Sequence, residues 1–293
     1  MSKNNKISYS KTASPFYKIK TKNKLVAVLK IDFDEIERIC LCSDQFYKVY
    51  DIKENGKKRR IEEPIDNLRK LHDRIAYFLK SITPPDYLFC PASGKSAVTN
   101  VNEHKDNPEL LKLDVTKYFP STTFGRIYDF FKSEMHCAAD IAWHLSKLMT
   151  YDGHLPTGSP ISPYLSYYAH ENMWNNIHSI CCENDYKLTV YIDDAGISGK
   201  NISGKVTWKI KKEIKKYGLH YHKEQMYSES DAKLLTGVVI HNGELKLRNK
   251  HHLKIKQTRM AIINSKNEDE LKKFTQSLNG LLSYQIQIEK CNS

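Results

Sequence analysis

Tyr191-Ile192-Asp193-Asp194 lies inside an apolar, β-branched run that extends from Lys187 to Ile197. Apolar residues alternate with more polar ones along this run, which is the period of a β-strand, and glycines follow at its end. The pattern predicts two strands joined by a tight turn, with Asp193 and Asp194 at the tip. Asp is an ordinary turn residue because it bonds its own backbone, so a plain turn and a metal site both remain open. Two adjacent carboxylates repel each other, which favours a cation opposite them.

The composition favours a polyanionic partner. The chain has 293 residues and a net charge of +12, from 46 Lys and Arg against 34 Asp and Glu. That sign suits nucleic acid or an anionic membrane surface. The excess of positive charge is concentrated in two segments. Residues 1–31 contain eight lysines and no acid, and residues 245–260 contain six Lys or Arg and no acid. Each segment is either a solvated basic face or a contact surface, and the first is a candidate disordered tail.

Targeting signals are not evident. Seven cysteines occur without a C-x-x-C pair or finger-type His spacing, which disfavours a zinc module and a disulfide framework. The N-terminus has no apolar core of a signal peptide, and no window approaches the ~18 apolar residues of a membrane span. These observations predict a cytoplasmic protein with no membrane partner.

Helical and strand patterns are interleaved along the chain. Asn-Gly pairs at 55–56 and 242–243 each separate strand-like segments, which is a hairpin signal. Recurrent hairpins favour an α+β fold, an antiparallel sheet with helices on one face, over a doubly wound parallel sheet. Helical spacing occurs in 31–41, 68–79, 127–149, 162–181, 206–217 and from 251 onward, and strand spacing in 47–52, 59–61, 110–115, 234–240 and 244–247.

Asp114 is a candidate third carboxylate. It lies near the end of the strand pattern 110–115, where alternation directs it away from the apolar face. If this strand neighbours the Asp193 hairpin in one antiparallel sheet, three carboxylates converge. Such a cluster suits two Mg²⁺ ions, hard cations that take oxygen ligands and keep sites for substrate phosphates. Two ions about 3.5–4 Å apart activate a hydroxyl and stabilise a leaving group.

Three segments occur in the order and approximate spacing of the palm motifs of reverse transcriptases, and the chain resembles that family. They are KLDVTKYFPS at 112–121, LPTGSPISP at 155–163 and YIDD at 191–194. The resemblance implies a right-hand polymerase with fingers, palm and helical thumb. It implies an N-terminal region and fingers at 1–105, a palm with inserted fingers helices at 106–241, and a thumb at 242–293.

The resemblance also assigns roles around the nucleotide. Asp114 and Asp193 would bind both metals, with Asp194 in support. Phe119 corresponds to the aromatic gate that crowds a 2′-hydroxyl, and Gly158 corresponds to the glycine that lets the backbone approach the nascent base pair. The sequence departs from the family at Thr157, where glutamine is usual, which puts the shape of the nucleotide pocket in question.

Basic residues upstream and downstream match further positions of the family. Lys57 and Arg59 match the residues that grip the triphosphate of a deoxynucleotide, a contact that guanidinium makes in a bidentate way. They also fit a merely soluble turn. Lys223 is the candidate general acid for pyrophosphate, in a region where the alignment slips, and an ordinary surface lysine is an equal reading of it.

Two short elements resemble those of retron reverse transcriptases. Asn100-Val101-Asn102-Glu103-His104 resembles their N-A-x-x-H element, with valine in place of alanine, and Leu235-Thr236-Gly237 resembles their V-T-G element, with leucine in place of valine. Asn100, His104, Thr236 and Gly237 are therefore expected to contact RNA or primer. The thumb residues expected to hold an RNA helix are Lys246, Arg248, Lys250, Lys254, Lys256 and Arg259, mostly through phosphates and 2′-hydroxyls.

The retron resemblance implies a specific activity. The enzyme would use deoxynucleotides and two Mg²⁺ ions to copy part of its own structured non-coding RNA. Synthesis would start from a guanosine 2′-hydroxyl, and the enzyme would stay bound to the branched RNA–DNA product. A separate effector protein and a role in defence against phage are implied as well.

Other functions remain open. Another bacterial reverse transcriptase, of the group II intron or abortive-infection type, would share the three motifs. A catalytically idle scaffold that binds RNA would share the fold, although an idle palm has no reason to keep a self-repelling acid cluster. A nucleotide cyclase is disfavoured by Thr157-Gly158 and by the basic C-terminal segment.

Overall fold

A computed structural model describes residues 8–54, 56–265 and 267–292, with the side chains of 54 and 57 outside the description. The contacts divide the chain into two compact units. The first comprises Met1–Ser93, Val115–Ile177 and Lys211–Tyr221, and the second comprises Gly94–Asp114, His178–Ile210 and His222–Ser293.

The helices and strands follow one another in mixed order. The helices are α1 Lys22–Leu29, α2 Phe33–Leu41, α3 Asp66–Lys80, α4 Ala97–Asn102, α5 Tyr118–Ser121, α6 Phe124–Asp129, α7 Ala139–Met149, α8 Ser162–Ala169, α9 Glu171–Cys182, α10 Gly204–Lys216, α11 Asn249–Ile263 and α12 Glu268–Asn292. The strands are β1 Tyr47–Glu54, β2 Lys57–Pro64, β3 Leu88–Cys90, β4 Glu109–Val115, β5 Lys187–Tyr191, β6 Asp194–Gly199, β7 Tyr221–Tyr227, β8 Lys233–Leu235, β9 Val238–His241 and β10 Glu244–Leu247.

The basic N-terminal segment is folded from residue 8 onward, so the prediction of a disordered tail is wrong for residues 8–31. Phe16, Ile19 and Leu25 are 0% exposed. Thr21 caps α1 by accepting a hydrogen bond from the Lys24 backbone N–H. The apolar residues between the lysines are what bury this segment, and the lysine count did not reveal them. Residues 1–7 lie outside the described chain.

Two predicted helical regions of the first unit are interrupted. In 127–149, a five-residue π-helix at Phe130–Glu134 follows α6, and the chain turns through His136, whose φ is 53°, before α7 begins. In 162–181, α8 ends before His170, which has φ −121° and ψ 16°, and α9 starts anew. Helical spacing continues across such breaks because both helices bury an apolar face.

The second unit contains a sheet in which β5, β6, β4 and β7 are neighbours in that order. β6 pairs antiparallel with both β5 and β4. Burial alternates at the end of β4, where Leu113 and Val115 are buried and Asp114 is partly exposed. The predicted antiparallel pairing of the Asp114 strand with the Asp193 hairpin is therefore confirmed.

A three-stranded antiparallel sheet, in the order β10-β9-β8, follows in the second unit. The pattern 234–240 had predicted one strand, but Thr236 and Gly237 form a two-residue turn, with φ of 41° and 88°. Both residues have the left-handed conformation of the tight hairpin turns that match strand twist. The continuous apolar pattern hid this turn, because Leu235 and Val238 on either side of it are both buried.

One apolar core joins the elements of the second unit around this sheet. α12 is anchored to it at its end, because Asn292 exchanges two hydrogen bonds with the Leu245 backbone, at 2.9 and 2.8 Å. Three acids in the first turn of α12 complement the helix dipole. The buried members of this core are Val98, Val101, Leu110, Tyr227, Leu235, Val238, Ile240, Leu245 and Ile288.

The α+β class with an antiparallel sheet is confirmed. The three-part division at 105 and 241 stays a prediction, since the contacts group the chain into two discontinuous units instead. Within the described residues, every helix is too short or too polar to cross a membrane.

Candidate active site

The turn that carries the carboxylates is strained. Tyr191 pairs with Asp194 across β5 and β6, which leaves Ile192 and Asp193 as a two-residue turn. Ile192 has φ 59°, a left-handed conformation that is an outlier for a β-branched residue. The flanking strands hold it there through their register. Strain of this kind tends to occur where side-chain placement matters more than stability, and here it presents Asp193 and Asp194 together.

Asp114 lies directly opposite Asp194 in the register of β4 and β6. Burial, together with the charges of Asp194 and Asp114, raises the pKa of Asp193 to about 6. Burial also raises the pKa of Asp194, with a smaller contribution from Asp114, against an opposing attraction from Lys112. The three carboxylates therefore interact electrostatically, and the protein stabilises their charges only in part.

Three basic side chains contact the carboxylates. Lys112 Nζ lies 3.2 Å from Asp194 Oδ1, a buried oxygen that forms no hydrogen bond within the described residues. Lys223 Nζ donates to Asp114 Oδ2 at 2.9 Å, and this hydrogen bond raises the pKa of Lys223. His222 Nδ1 lies 3.2 Å from the other oxygen, Asp114 Oδ1. The cation that the sequence predicted opposite the acids is supplied here by the chain itself.

The donor set suits a hard cation, but the side chains are not arranged around one. Three carboxylates, two on paired strand positions and one in the adjoining turn, offer the oxygen ligands that Mg²⁺ takes, and the buried Asp194 Oδ1 forms no hydrogen bond within the described residues. Among the described residues, however, no group of three or more His, Cys, Asp or Glu side chains is placed to hold a metal ion. Asp114 and Asp194 point oxygens at lysines instead. The two Mg²⁺ ions stay a prediction.

The predicted nucleotide residues all lie in the first unit. Thr157 Oγ1 donates to the Arg60 carbonyl on β2 at 2.8 Å, and Gly158 N–H donates to the Glu62 carbonyl at 3.1 Å. A Cβ at Gly158 would lie 2.8 Å from that carbonyl oxygen. The close approach of Gly158 to β2 therefore explains why this residue is glycine. This reason is separate from the predicted approach of its backbone to a base pair.

The other residues predicted to bind the nucleotide differ in solvent exposure. Phe119 is half-buried in α5 and tilted against the Tyr118 ring. Arg59 is exposed on β2. Lys57 begins β2, and its side chain lies outside the described ones. Their roles at a triphosphate stay predictions.

The predicted RNA contacts fall into a buried and an exposed group, and all lie in the second unit. Asn100 is 1% exposed and His104 is 0% exposed, so neither presents a polar atom to solvent in this structure. Thr236 and Gly237 form the turn between β8 and β9. The exposed group lies on β10, on α11 and between them, and comprises Lys246, Arg248, Lys250, Lys254, Lys256 and Arg259.

Sequence reasoning missed Lys112 and His222 as neighbours of the carboxylates. A signal for Lys112 was available, because residues two apart on a strand share a face and Lys112 precedes Asp114 by that interval. His222 adjoins Lys223, which was singled out only as a general acid. Lys112 is the first residue of the first palm motif, but the motif assigned it no role, and His222 lies outside the quoted motifs.

Comparison with solved structures identifies the class of fold. The chain matches the RNA-dependent RNA polymerase of BmCPV in its elongation state with a TM-score of 0.52, at 12% identity, over 82% of this chain and 26% of that one. The chain thus shares its fold with part of that polymerase. No protein-family model matches the chain.

Curated proteins with similar sequences narrow the class. The chain is 25% identical to the retron Se72 reverse transcriptase of Salmonella heidelberg over 77% of its own length and 63% of that protein. It is 26% identical to the retron Ec83 reverse transcriptase of Escherichia coli, over 67% and 69% of the two chains, and 24% identical to the retron Mx65 reverse transcriptase of Myxococcus xanthus, over 79% and 58%. The predicted relationship to retron reverse transcriptases is confirmed, and the matches span only part of each relative.

Proposed function

We propose that this chain is an RNA-directed DNA polymerase of the retron type. One observation carries the proposal: the register that sets Asp114 opposite Asp194, beside Asp193 in a strained turn. The named activity of the curated relatives supports it. So does the net charge of +12, which suits a nucleic-acid partner.

The carboxylates would hold two Mg²⁺ ions, with Asp114 and Asp193 as the principal ligands and Asp194 in support. When bound, the ions activate a primer hydroxyl and stabilise the departing pyrophosphate. Metal binding at Asp114 would compete with Lys223, because Asp114 Oδ2 now accepts a hydrogen bond from that lysine. A lysine freed there is available to donate a proton to the pyrophosphate.

The rest of the chain would serve the template and the deoxynucleotide. We assign a right-hand arrangement, with fingers at 1–105, a palm at 106–241 and a thumb at 242–293. Fingers residues Lys57 and Arg59 would bind the triphosphate. The nucleotide pocket would be completed by Phe119, Thr157 and Gly158.

The substrate would be a cognate structured non-coding RNA in the cytoplasm. Synthesis primed from a guanosine 2′-hydroxyl would leave a branched RNA–DNA product, and the exposed basic residues of β10 and α11 would hold its RNA through phosphates. A separate effector protein and a role in defence against phage complete the proposal.

Asp193→Asn tests the polymerase activity. DNA synthesis on poly(rA) primed with oligo(dT), with Mg²⁺, should fall at least about a hundredfold, because a neutral amide is a poor ligand for a hard cation. Asp185→Asn is the matched control, since Asp185 is exposed just before β5 and its φ of 55° is one that Asn also adopts. Full activity of Asp193→Asn would contradict the proposal and favour the idle RNA-binding scaffold.

The retron assignment needs a separate test. Nucleic acid that copurifies with the chain, expressed with its neighbouring DNA, should contain a short DNA joined to RNA by a ribonuclease-resistant branch. Primer extension without any branched product would leave a reverse transcriptase of another bacterial type.

A further inference from the structure

A buried hydrogen-bonded chain runs through His104. Asn107 Nδ2 donates to Ser198 Oγ at 2.8 Å, so the Ser198 hydroxyl hydrogen is free to point at His104 Nδ1, 2.6 Å away. We assign the tautomer in which Nδ1 accepts this hydrogen bond and Nε2 carries the ring hydrogen, which it donates to Thr189 Oγ1 at 2.7 Å. Burial lowers the pKa of His104 to about 3, which keeps the ring neutral.

Both partners of His104 belong to the hairpin that carries the carboxylates. Thr189 lies on β5 and Ser198 on β6. Residues two apart on a strand share a face, so Asp194 and Ser198 lie on one face of β6. Thr189 shares that face, because it pairs with residue 196. The imidazole thus forms hydrogen bonds to both strands on the face that carries Asp194.

Gly196 leaves the room that this arrangement requires. A Cβ at Gly196 would lie 2.9 Å from His104 Nε2 and 2.7 Å from Leu235 Cδ2. The ring and the Leu235 side chain therefore fill the space over β6 directly. Leu235 in turn precedes the Thr236-Gly237 turn, so the hairpin is packed against that turn as well as bonded to His104.

Asn100 joins the same turn. Its Nδ2 donates to Thr236 Oγ1 at 3.3 Å, and Thr236 Oγ1 donates to the Ala97 carbonyl at 3.3 Å. Thr236 has φ 41°, a costly conformation for a β-branched residue, and these side-chain bonds help to hold it. The segment 100–107 thus bonds to the carboxylate hairpin at one end and to the turn at the other.

We propose that His104 is a positioning residue for the carboxylate hairpin, and that the Asn100–His104 element supports the catalytic centre from within the unit. The inference rests on the proposed function. It departs from the expectation of RNA contact, because both ring nitrogens are occupied and the side chain is 0% exposed. Without His104 we expect β5 and β6 to hold Asp193 and Asp194 less precisely beside Asp114, because the imidazole bonds both strands of the hairpin.

Thr189→Val and Thr189→Ser form a matched pair that tests the proposal. Valine keeps the shape of the side chain but removes the acceptor for His104 Nε2, whereas serine keeps the hydroxyl. With poly(rA)·oligo(dT), kcat of Thr189→Val should fall about tenfold to a hundredfold, as misplacement of reacting groups does. The Kd for the same duplex should change less than about twofold, and Thr189→Ser should retain most of kcat.

Two results would overturn the proposal. One is an unchanged kcat in Thr189→Val. The other is weaker binding of poly(rA)·oligo(dT), seen as a higher Kd, with kcat preserved. That result would favour the original prediction that the Asn100–His104 element contacts RNA. An inactive wild type would contradict the proposed function instead of the positioning role.

A second measurement needs neither a stable variant nor activity. In the wild-type chain, ¹⁵N chemical shifts should show His104 neutral at pH 6 with the hydrogen on Nε2. A ring that is protonated on Nδ1, or charged at that pH, would contradict the hydrogen-bonded chain and with it the positioning role.

Discussion

Asp114 and Asp194 lie directly opposite each other on neighbouring antiparallel strands, and each points an oxygen at a lysine. Like charges opposite each other on one face destabilise a sheet. Lys112 and Lys223 offset this repulsion from within the chain. The carboxylates, their strained turn and their two lysines therefore form one electrostatic system, in which a change to any member is expected to alter the others.

Removing the charge of Asp193 should stabilise the fold. The folded-state pKa of about 6 exceeds the ordinary value of 3.8, so ionised Asp193 costs stability in full above pH 6, and the cost is lost progressively as pH falls from 6 to below 3.8. Asp193→Asn should raise the free energy of unfolding at pH 7.5 by about 3 kcal/mol, and by less at pH 5. Urea denaturation at both pH values measures this, with Asp185→Asn as the control. A variant that is less stable than wild type at pH 7.5 would show that the carboxylate is well stabilised.

Buried histidines should make the fold sensitive to acid. Burial lowers the pKa of His104 to about 3 and that of His72 and His170 to about 4, against 6.5 in the unfolded chain. The stability from keeping them neutral is present above pH 6.5 and is lost as pH falls toward those values. Each contributes about 1.4 kcal/mol per pH unit in that window.

The contribution of one histidine can be separated by substitution. His104→Gln should be less stable than wild type at pH 7.5, and its free energy of unfolding should fall less steeply between pH 6.5 and 5, by about 1.4 kcal/mol per unit. His252→Gln, on the exposed side of α11, should keep the wild-type slope. Equal slopes for His104→Gln and wild type would mean that His104 is protonated in the folded chain.

Lys112→Met should shift the pH dependence of DNA synthesis upward. Attraction from Lys112 lowers the pKa of Asp194 against the effect of burial, so without the lysine Asp194 stays protonated to higher pH. The acidic limb of the kcat/KM profile should therefore move to higher pH. Lys187→Met is the control, because Lys187 pairs with Glu103 on an exposed side, at 2.7 Å. An unmoved acidic limb in Lys112→Met would indicate that Lys112 has no influence on the reacting form of the site.

Gly158→Ala should destabilise the first unit. Its Cβ would meet the Glu62 carbonyl oxygen at 2.8 Å and Ile61 Cγ2 at 2.9 Å, so the backbone must move, at about 1–3 kcal/mol. Gly125→Ala is a matched control in α6 of the same unit, where the nearest atom is 3.9 Å away, and it should be neutral or slightly stabilising. Thermal unfolding compares the two, and equal midpoints would contradict the close approach to β2.

Substituting exposed basic residues of α11 should weaken RNA binding in a salt-dependent way. Lys254, Lys256 and Arg259 are all exposed, and the triple change to Gln should reduce the slope of log K against log salt by roughly 2 to 3 if each contacts one phosphate. Titration of double-stranded RNA at several salt concentrations measures the slope. The double change of Lys272 and Lys273 to Gln, on exposed positions of α12, is the control, and its effect is compared per charge removed, two against three. An effect of the same size in the control would indicate nonspecific loss of charge.

Local sequence patterns predicted the structure best where one strand or one turn is enough to define the feature. The Asp193 hairpin, the antiparallel partner strand of Asp114 and the α+β class were all predictable, because a period of two and a turn are properties of short segments. The Thr236-Gly237 turn was not predicted, since buried residues on both sides of a turn read as one strand. The folded N-terminal segment was not predicted either, because the high lysine content suggested a solvated segment although apolar residues lie between the lysines.

The contacts of Asn100 and His104 could not be predicted from their own segment of the sequence. Their motif was legible in the sequence and pointed to RNA, yet their partners Thr236, Thr189 and Ser198 lie far along the chain.

The order and spacing of residue types were enough to establish the kind of fold, the acid triad and the relationship to retron reverse transcriptases. The acids' electrostatic environment depended on the folded chain: Lys112 and Lys223 reach Asp194 and Asp114 only once β4, β6 and β7 are neighbours in one sheet. Periodicity is a property of one segment and can be read from the sequence. Charge interactions, burial and hydrogen bonds join segments that come together only when the chain folds.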